Sequence, residues 1–111
     1  ADQSRWPRAL REEVIYRLPS RAEAELAEIW VYSAERWNHE QADRYIHALV
    51  NRFEWLCDNP PLWNPRPDIA EGLFSCPQQS HVIYFRPQGN PPDVIEIVRV
   101  LNERMEPAQH S

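Results

Sequence analysis

Apolar positions recur along this chain with several spacings, and each spacing predicts a different element. Val14-Ile15-Tyr16-Arg17-Leu18 is a short run rich in β-branched and aromatic residues, the composition of a strand. From about Arg21 to Trp37, the positions Ala22, Leu26, Ile29, Trp30, Ser33 and Trp37 recur at helical intervals and form one stripe. Ser20 with Glu23 forms a capping box at its start, since the serine can cap an early N–H and the glutamate can reach back. A second stripe, Ala42, Tyr45, Ile46, Leu49, Phe53 and Leu56, predicts a second helix. Asn38 caps it with Gln41 at the box position, and Asn59-Pro60-Pro61 ends it. The short connection folds the two helices into an antiparallel αα-hairpin.

In the last third the period shortens to two. Gly72 to Cys76, His81 to Arg86 and Val94 to Leu101 read as strands. The last two are joined through Pro87 to Pro92, where Gly89-Asn90 tolerates positive φ. Strict alternation puts Ile95, Ile97 and Leu101 on one face with Arg99, and Val94, Val98 and Val100 on the other with Glu96. Apolarity on both faces predicts a central, covered strand. The prolines fall between the periodic segments and punctuate them. The fold class is therefore α+β: a small, mostly antiparallel sheet with an N-terminal αα-hairpin packed on one face, in the order β-α-α-β-β-β. Residues 1–13 read as an N-terminal arm, 14–106 as one domain and 107–111 as a C-terminal tail.

Composition narrows the function. The formal net charge is −5, and every basic residue is Arg. Such a balance argues against a chain that grips the phosphate backbone, so no sequence-specific DNA binding is expected of it alone. Cys57 and Cys76 lack metal-ligand spacing and are expected to be small buried hydrophobes in a reduced compartment. No apolar run approaches the roughly 18 residues of a membrane span, and the first residues lack a signal-peptide core, so a cytoplasmic location is expected. His39 and His47 are about 12 Å apart on a straight helix, too far to share a metal. No metal or cofactor is expected.

Cleavage of RNA would need a base, an acid and cations over the phosphate. The candidates are His81, Tyr84, Arg86, Arg99, Glu106 and His110. His81 and Tyr84 lie three apart on a strand, so they point to opposite faces and do not converge. No catalytic residue is assigned. Arg99 reads as a paired structural ion or a target-facing group. The helical acids, Glu23, Glu25, Glu28, Glu35, Glu40 and Asp43, read mainly as a solvated face. Trp55, off the second stripe, and Trp63, in the proline-rich loop, read as interface anchors or as seals on a small core.

Several fragments stand in a particular order: Ala34-Glu35-Arg36-Trp37, Gln41-Ala42-Asp43-Arg44-Tyr45, Asn59-Pro60, Arg66-Pro67-Asp68-Ile69, His81-Val82-Ile83-Tyr84-Phe85-Arg86 and Ile95-Glu96-Ile97-Val98-Arg99-Val100-Leu101. Together, from Val14 to Glu106, they resemble the ParE branch of the ParE/RelE superfamily, small toxins of bacterial toxin–antitoxin pairs. The resemblance implies a non-enzymatic toxin that poisons DNA gyrase and is neutralised in a hetero-oligomer by a cognate antitoxin. It leaves two alternatives, a ribosome-dependent mRNA endoribonuclease of RelE type and an attenuated toxin that only binds its antitoxin. Target contacts are expected at Arg86, Arg99, Arg104 and Glu106, and antitoxin contacts at Trp30, Trp37, Trp55 and Trp63. The chain departs from the family pattern at Phe74 and Ser80, where a basic residue is usual. Both positions are expected to accept Arg without loss of folding and to weaken toxicity as they stand.

Overall fold

A computed structural model describes residues 14–89 and 92–105. The expected arm (1–13), Asn90, Pro91, Glu106 and the expected tail (107–111, with His110) lie outside the described residues. The described elements are β1 (Ile15–Arg17), α1 (Ser20–Arg36), α2 (His39–Asp58), β2 (Asn64–Pro65), β3 (Phe74–Gln78), β4 (His81–Gly89) and β5 (Pro92–Asn102). The expected α+β order holds, with the two-residue β2 added in the proline-rich loop.

α1 begins differently from the expected capping box. Ser20 is already helical, Pro19 is the N-cap with φ −62°, and no side chain caps the end. The Pro19 carbonyl accepts from Glu23 N–H at 3.0 Å. Proline fits there because its fixed φ suits entry to a helix and it has no N–H to satisfy. α2 begins as expected, with Asn38 Oδ1 accepting from Gln41 N–H at 2.7 Å. Both stripes face the sheet, through Ala22, Leu26 and Ile29 on α1 and Ala42, Leu49, Phe53 and Leu56 on α2. Trp37, expected to close the first stripe, is instead 55% exposed as the C-cap residue.

The sheet order is β1-β5-β4-β3-β2. β1 runs parallel to β5, and every other pairing is antiparallel. β4 is therefore the central strand, and β5 is flanked on its outer side by β1 only from Val94 to Glu96. The strict alternation expected for β5 fails at a bulge. Tyr84 pairs with Arg99 and Phe85 with Ile97, so Val98 is an extra residue without an opposite number. The bulge shifts the phase of the strand. Ile95, Ile97 and Val100 join the core under the helices, while Leu101 packs on the opposite face with Ile69, Leu73 and Tyr84.

Two layers of apolar packing result. The larger lies between helices and sheet, where Leu49, Phe53, Ile83, Phe85, Ile95 and Ile97 are fully buried. Each such side chain contributes roughly 1.5–3 kcal/mol relative to exposure. The smaller covers the far face beneath the loop that carries Ile69 and Leu73. Cys57 and Cys76 are free and buried, as expected, and burial pushes the Cys76 thiol up.

The prolines are not confined to connections. Pro77 lies inside β3, and Pro87 inside β4 beyond its last partner on β3, Phe85. Both stand where a strand has one open side, the place where a missing N–H does least harm. The β3–β4 hairpin turns at Gln79-Ser80, with Gln79 at φ +54°.

Candidate functional site

The C-terminal end of α1, the start of α2 and the β3–β4 turn meet the end of β5 in one corner. A cleft of about 460 Å³ opens there, lined by Tyr32, Arg36, Trp37, Tyr45, Ser80, His81, Glu103 and Arg104 among others. A second depression of about 420 Å³ adjoins it along β5 and shares Tyr32, His81 and Asn102. Ile29, Val100, Leu101 and Met105 give the second one its apolar character. Together they form a groove between α1 and the stretch of β5 that β1 leaves uncovered.

Tyr45 and His81 form the floor of the first cleft. Tyr45 Oη lies 2.6 Å from His81 Nδ1, with the rings edge-on at 5.4 Å. The same oxygen accepts Ser80 N–H at 3.3 Å. The phenol can donate to Nδ1 while accepting from Ser80 N–H, since a phenol oxygen carries one donor and two acceptor sites. Burial lowers the His81 pKa from its ordinary value, partly offset by Glu103 nearby. Burial also raises that of Tyr45. The pair ties α2 to the hairpin turn and leaves both groups neutral near pH 7.

Glu25 holds the uncovered edge of β5. Its Oε2 accepts from Arg99 Nε at 2.6 Å, and its Oε1 accepts from Val100 N–H at 2.9 Å. Glu25 departs from the solvated face expected of the helical acids. Its side chain is only 14% exposed. At the other end of the strand Arg17 pairs with Glu96 at 2.5 Å, and Arg86 stands opposite Glu96 in the β4–β5 register.

The far face of the sheet carries a different set. Arg66 forks onto Asp68 at 3.1 and 3.0 Å, and its Nη1 donates to Ser75 Oγ at 3.4 Å. The Asp68 hydrogen bonds, with a smaller contribution from the Tyr84 hydroxyl, raise the Arg66 pKa, and Arg66 in turn lowers that of Asp68. Tyr84 is only 2% exposed within the far-face core. His81 and Tyr84 thus stand on opposite faces of β4, as the alternation required. Among the described residues, no group of three His, Cys, Asp or Glu side chains could hold a metal ion, and no helix is long and apolar enough to cross a membrane.

The model of the family described as "ParE toxin of type II toxin-antitoxin system, parDE" matches residues 16–107. The chain belongs to this toxin family. Toxin ParE1 of Caulobacter vibrioides is 36% identical to it over 95 residues, which cover 86% of this chain and 95% of that protein. Toxin ParE1 of Mycobacterium tuberculosis is 32% identical over 91 residues, covering 82% and 91%. A solved chain of a chromosomal ParDE system from P. aeruginosa matches with a TM-score of 0.70 at 18% identity, over 82% of this chain and 97% of that one. A chain of the toxin–antitoxin complex RelBE2 from Mycobacterium tuberculosis matches with a TM-score of 0.60 at 18% identity, over 82% and 99%. At that identity the structural likeness shows the fold alone. The identity of the ParE1 relatives carries the family.

Within this ParE-family fold the expected site residues are scattered. Arg104 lines the first cleft, Arg99 the adjoining depression, and Arg86 stands on β4 beside Gly72, away from both. Glu106 lies outside the described residues. Of the four tryptophans, only Trp37 opens into the groove. Trp30 joins the helices by donating to Asp43 Oδ1 at 2.8 Å. Trp55 stacks under Arg52, 4.7 Å from ring centroid to guanidinium. Trp63 donates to the Leu56 carbonyl at 2.7 Å and packs edge-on against Phe74 and Phe85. Phe74 stacks on Phe85 at 5.8 Å, so the expectation that it would accept Arg without loss of folding does not survive. The polar pairs Tyr45–His81 and Glu25–Arg99 were invisible as pairs, since 36 and 74 residues separate their members along the chain.

Proposed function

We propose that this ParE-family chain is held inactive by a cognate antitoxin and, once released, binds and poisons DNA gyrase without chemistry of its own. The observation that supports a binding mechanism best is the separation of His81 and Tyr84. The histidine is engaged by Tyr45 on the helical side, and the tyrosine is packed into the far-face core. An acid and a base that act on one phosphate must converge on it. The family of the chain and its likeness to a chain of a ParDE system support the same reading.

The antitoxin is assigned to the helical side. Val31, Tyr32 and Trp37 are 50–61% exposed on or at the end of α1, and Met105 is 54% exposed across the groove. Large exposed apolar side chains grouped around a groove fit a protein partner. Gyrase contacts are assigned to Arg86, Arg99, Arg104 and Glu106 by family resemblance, and the released toxin acts in the cytoplasm.

The test is a supercoiling assay with purified chain and gyrase. Inhibition with accumulation of cleaved DNA, relieved by the antitoxin, is expected. Unimpaired supercoiling together with mRNA cleavage on ribosomes would transfer the assignment to the RelE-type nuclease. Neither effect, with tight antitoxin binding retained, would mark an attenuated toxin.

A further inference from the structure

We propose that the cleft at the end of α1 is a small-molecule site for a phosphate-bearing aromatic ligand of the nucleotide class. Arg36 from α1 and Arg104 from the turn after β5 both line it. Neither guanidinium has a carboxylate partner among the described residues. Arg66 and Arg99, by contrast, are tied to Asp68 and Glu25. Two uncommitted guanidiniums across one cleft are a ready fork for phosphate oxygens.

The aromatic part of the ligand follows from the same wall. Tyr32 and Trp37 line the cleft and are 61% and 55% exposed, although Ala22, Leu26, Ile29 and Ser33 of the same helix are buried. The Arg36 guanidinium lies over the Trp37 ring, 5.9 Å from its centroid, so a cation and an indole share this wall with the Tyr32 phenol nearby. That pairing suits a base joined to a phosphate, because a base stacks on an indole or phenol and its phosphate meets the adjacent guanidinium. The volume of about 460 Å³ lies within the range of ordinary small-ligand clefts. At its floor the Tyr45–His81 couple is fixed by Ser80, which gives the cleft a rigid polar base. The chain's acidity elsewhere does not oppose this. A single Glu103 lines the cleft against the two arginines.

The test uses the full chain and three probes: adenosine monophosphate, adenosine and inorganic phosphate, followed by calorimetry and by amide shifts. Adenosine monophosphate is expected to bind saturably and at least about tenfold more tightly than either part alone. Arg36→Gln and Arg104→Gln should each weaken it about tenfold, the loss typical of a charge-assisted contact. Trp37→Ala should weaken adenosine monophosphate and leave phosphate unchanged. Arg17→Gln, at the other end of β5, should leave adenosine monophosphate binding unchanged. Phosphate binding as tightly as the nucleotide, or folded arginine variants binding like the parent, would overturn the proposal. So would a folded chain that binds its antitoxin but no nucleotide, a result that leaves the proposed toxin function standing.

Discussion

Glu25 grips Arg99 and the backbone of its neighbour at once. One carboxylate oxygen takes the Arg99 guanidinium and the other takes Val100 N–H, both at the stretch of β5 that β1 does not reach. An unpaired strand edge exposes donors that need partners, and here a helix supplies the acceptor.

Glu25→Ala should therefore destabilise the chain by about 2–3 kcal/mol, since it strands a mostly buried guanidinium and a backbone donor together. Glu25→Gln keeps an acceptor for Val100 and should cost less. Urea denaturation of the two variants checks the order. A loss below about 0.5 kcal/mol for the alanine variant would place this contact among ordinary surface pairs.

Phe74 and Ser80 separate two questions that the sequence pattern merges. Phe74→Arg would put a charge between Trp63 and Phe85, and about 3 kcal/mol of stability should be lost. Ser80 is exposed, and the backbone N–H by which it holds Tyr45 survives any substitution other than proline. Ser80→Arg should fold within about 0.5 kcal/mol of the parent. Thermal melts of the single variants decide this, and only Ser80→Arg can then be read for toxicity in cells lacking the antitoxin.

Much of the fold was legible because local signals agreed. Asn38 capped its helix as its side chain allows, and α2 buried the stripe that its spacing marked. The failures have long-range causes. The bulge at Val98 is set by pairing with β4, so no pattern within β5 reveals that Val100 and Leu101 change faces. Ser20 was displaced as cap by Pro19, one residue earlier. The groove is less legible still. Its polar floor joins Tyr45 and His81 from different elements, and an alternation rule predicts only the face of each, not the partner that waits there.

His81 should make stability depend on pH. Its folded pKa is depressed below the ordinary 6.5, chiefly by burial, with Glu103 acting weakly in the opposite sense. Below 6.5 the unfolded chain takes up a proton that the folded chain resists. Stability is therefore fully present above that pH, falls as pH drops through the folded pKa, and levels off below it. In the imidazolium both ring nitrogens are donors, so the Tyr45 oxygen could only accept from Nδ1. Denaturation curves between about pH 7.5 and 5 should show a steeper loss for the parent than for His81→Asn. Parallel profiles would show that His81 is not the group responsible.

The β3–β4 turn carries a correctable defect. Gln79 sits at φ +54° in a two-residue connection, a conformation that costs a side-chain-bearing residue about 1–2 kcal/mol. Gln79→Gly removes that cost and adds some chain entropy to the unfolded state. A net gain of about 0.5–1 kcal/mol is expected, visible as a higher melting temperature. A lower melting temperature would mean that Gln79 makes a contact worth more than its strain.

The exposed side chains around the groove give the sharpest check on the antitoxin surface. Tyr32 and Met105 stand on opposite walls, 61% and 54% exposed, and neither belongs to the buried core. Tyr32→Ser with Met105→Ser should leave folding nearly unchanged, because surface substitutions away from caps and pairs usually fall within about 0.5 kcal/mol. The same change removes two large anchors from the proposed interface. Where such anchors are buried by a partner, each truncation commonly costs more than about 1 kcal/mol. Antitoxin affinity, measured by calorimetry with the cognate partner, should fall by about tenfold or more. The double variant should then be more toxic than the parent when both proteins are expressed together, because less toxin is held. Unchanged affinity in a folded double variant would move the antitoxin off this groove, and the far face around Arg66 and Arg86 would be the surface to test next.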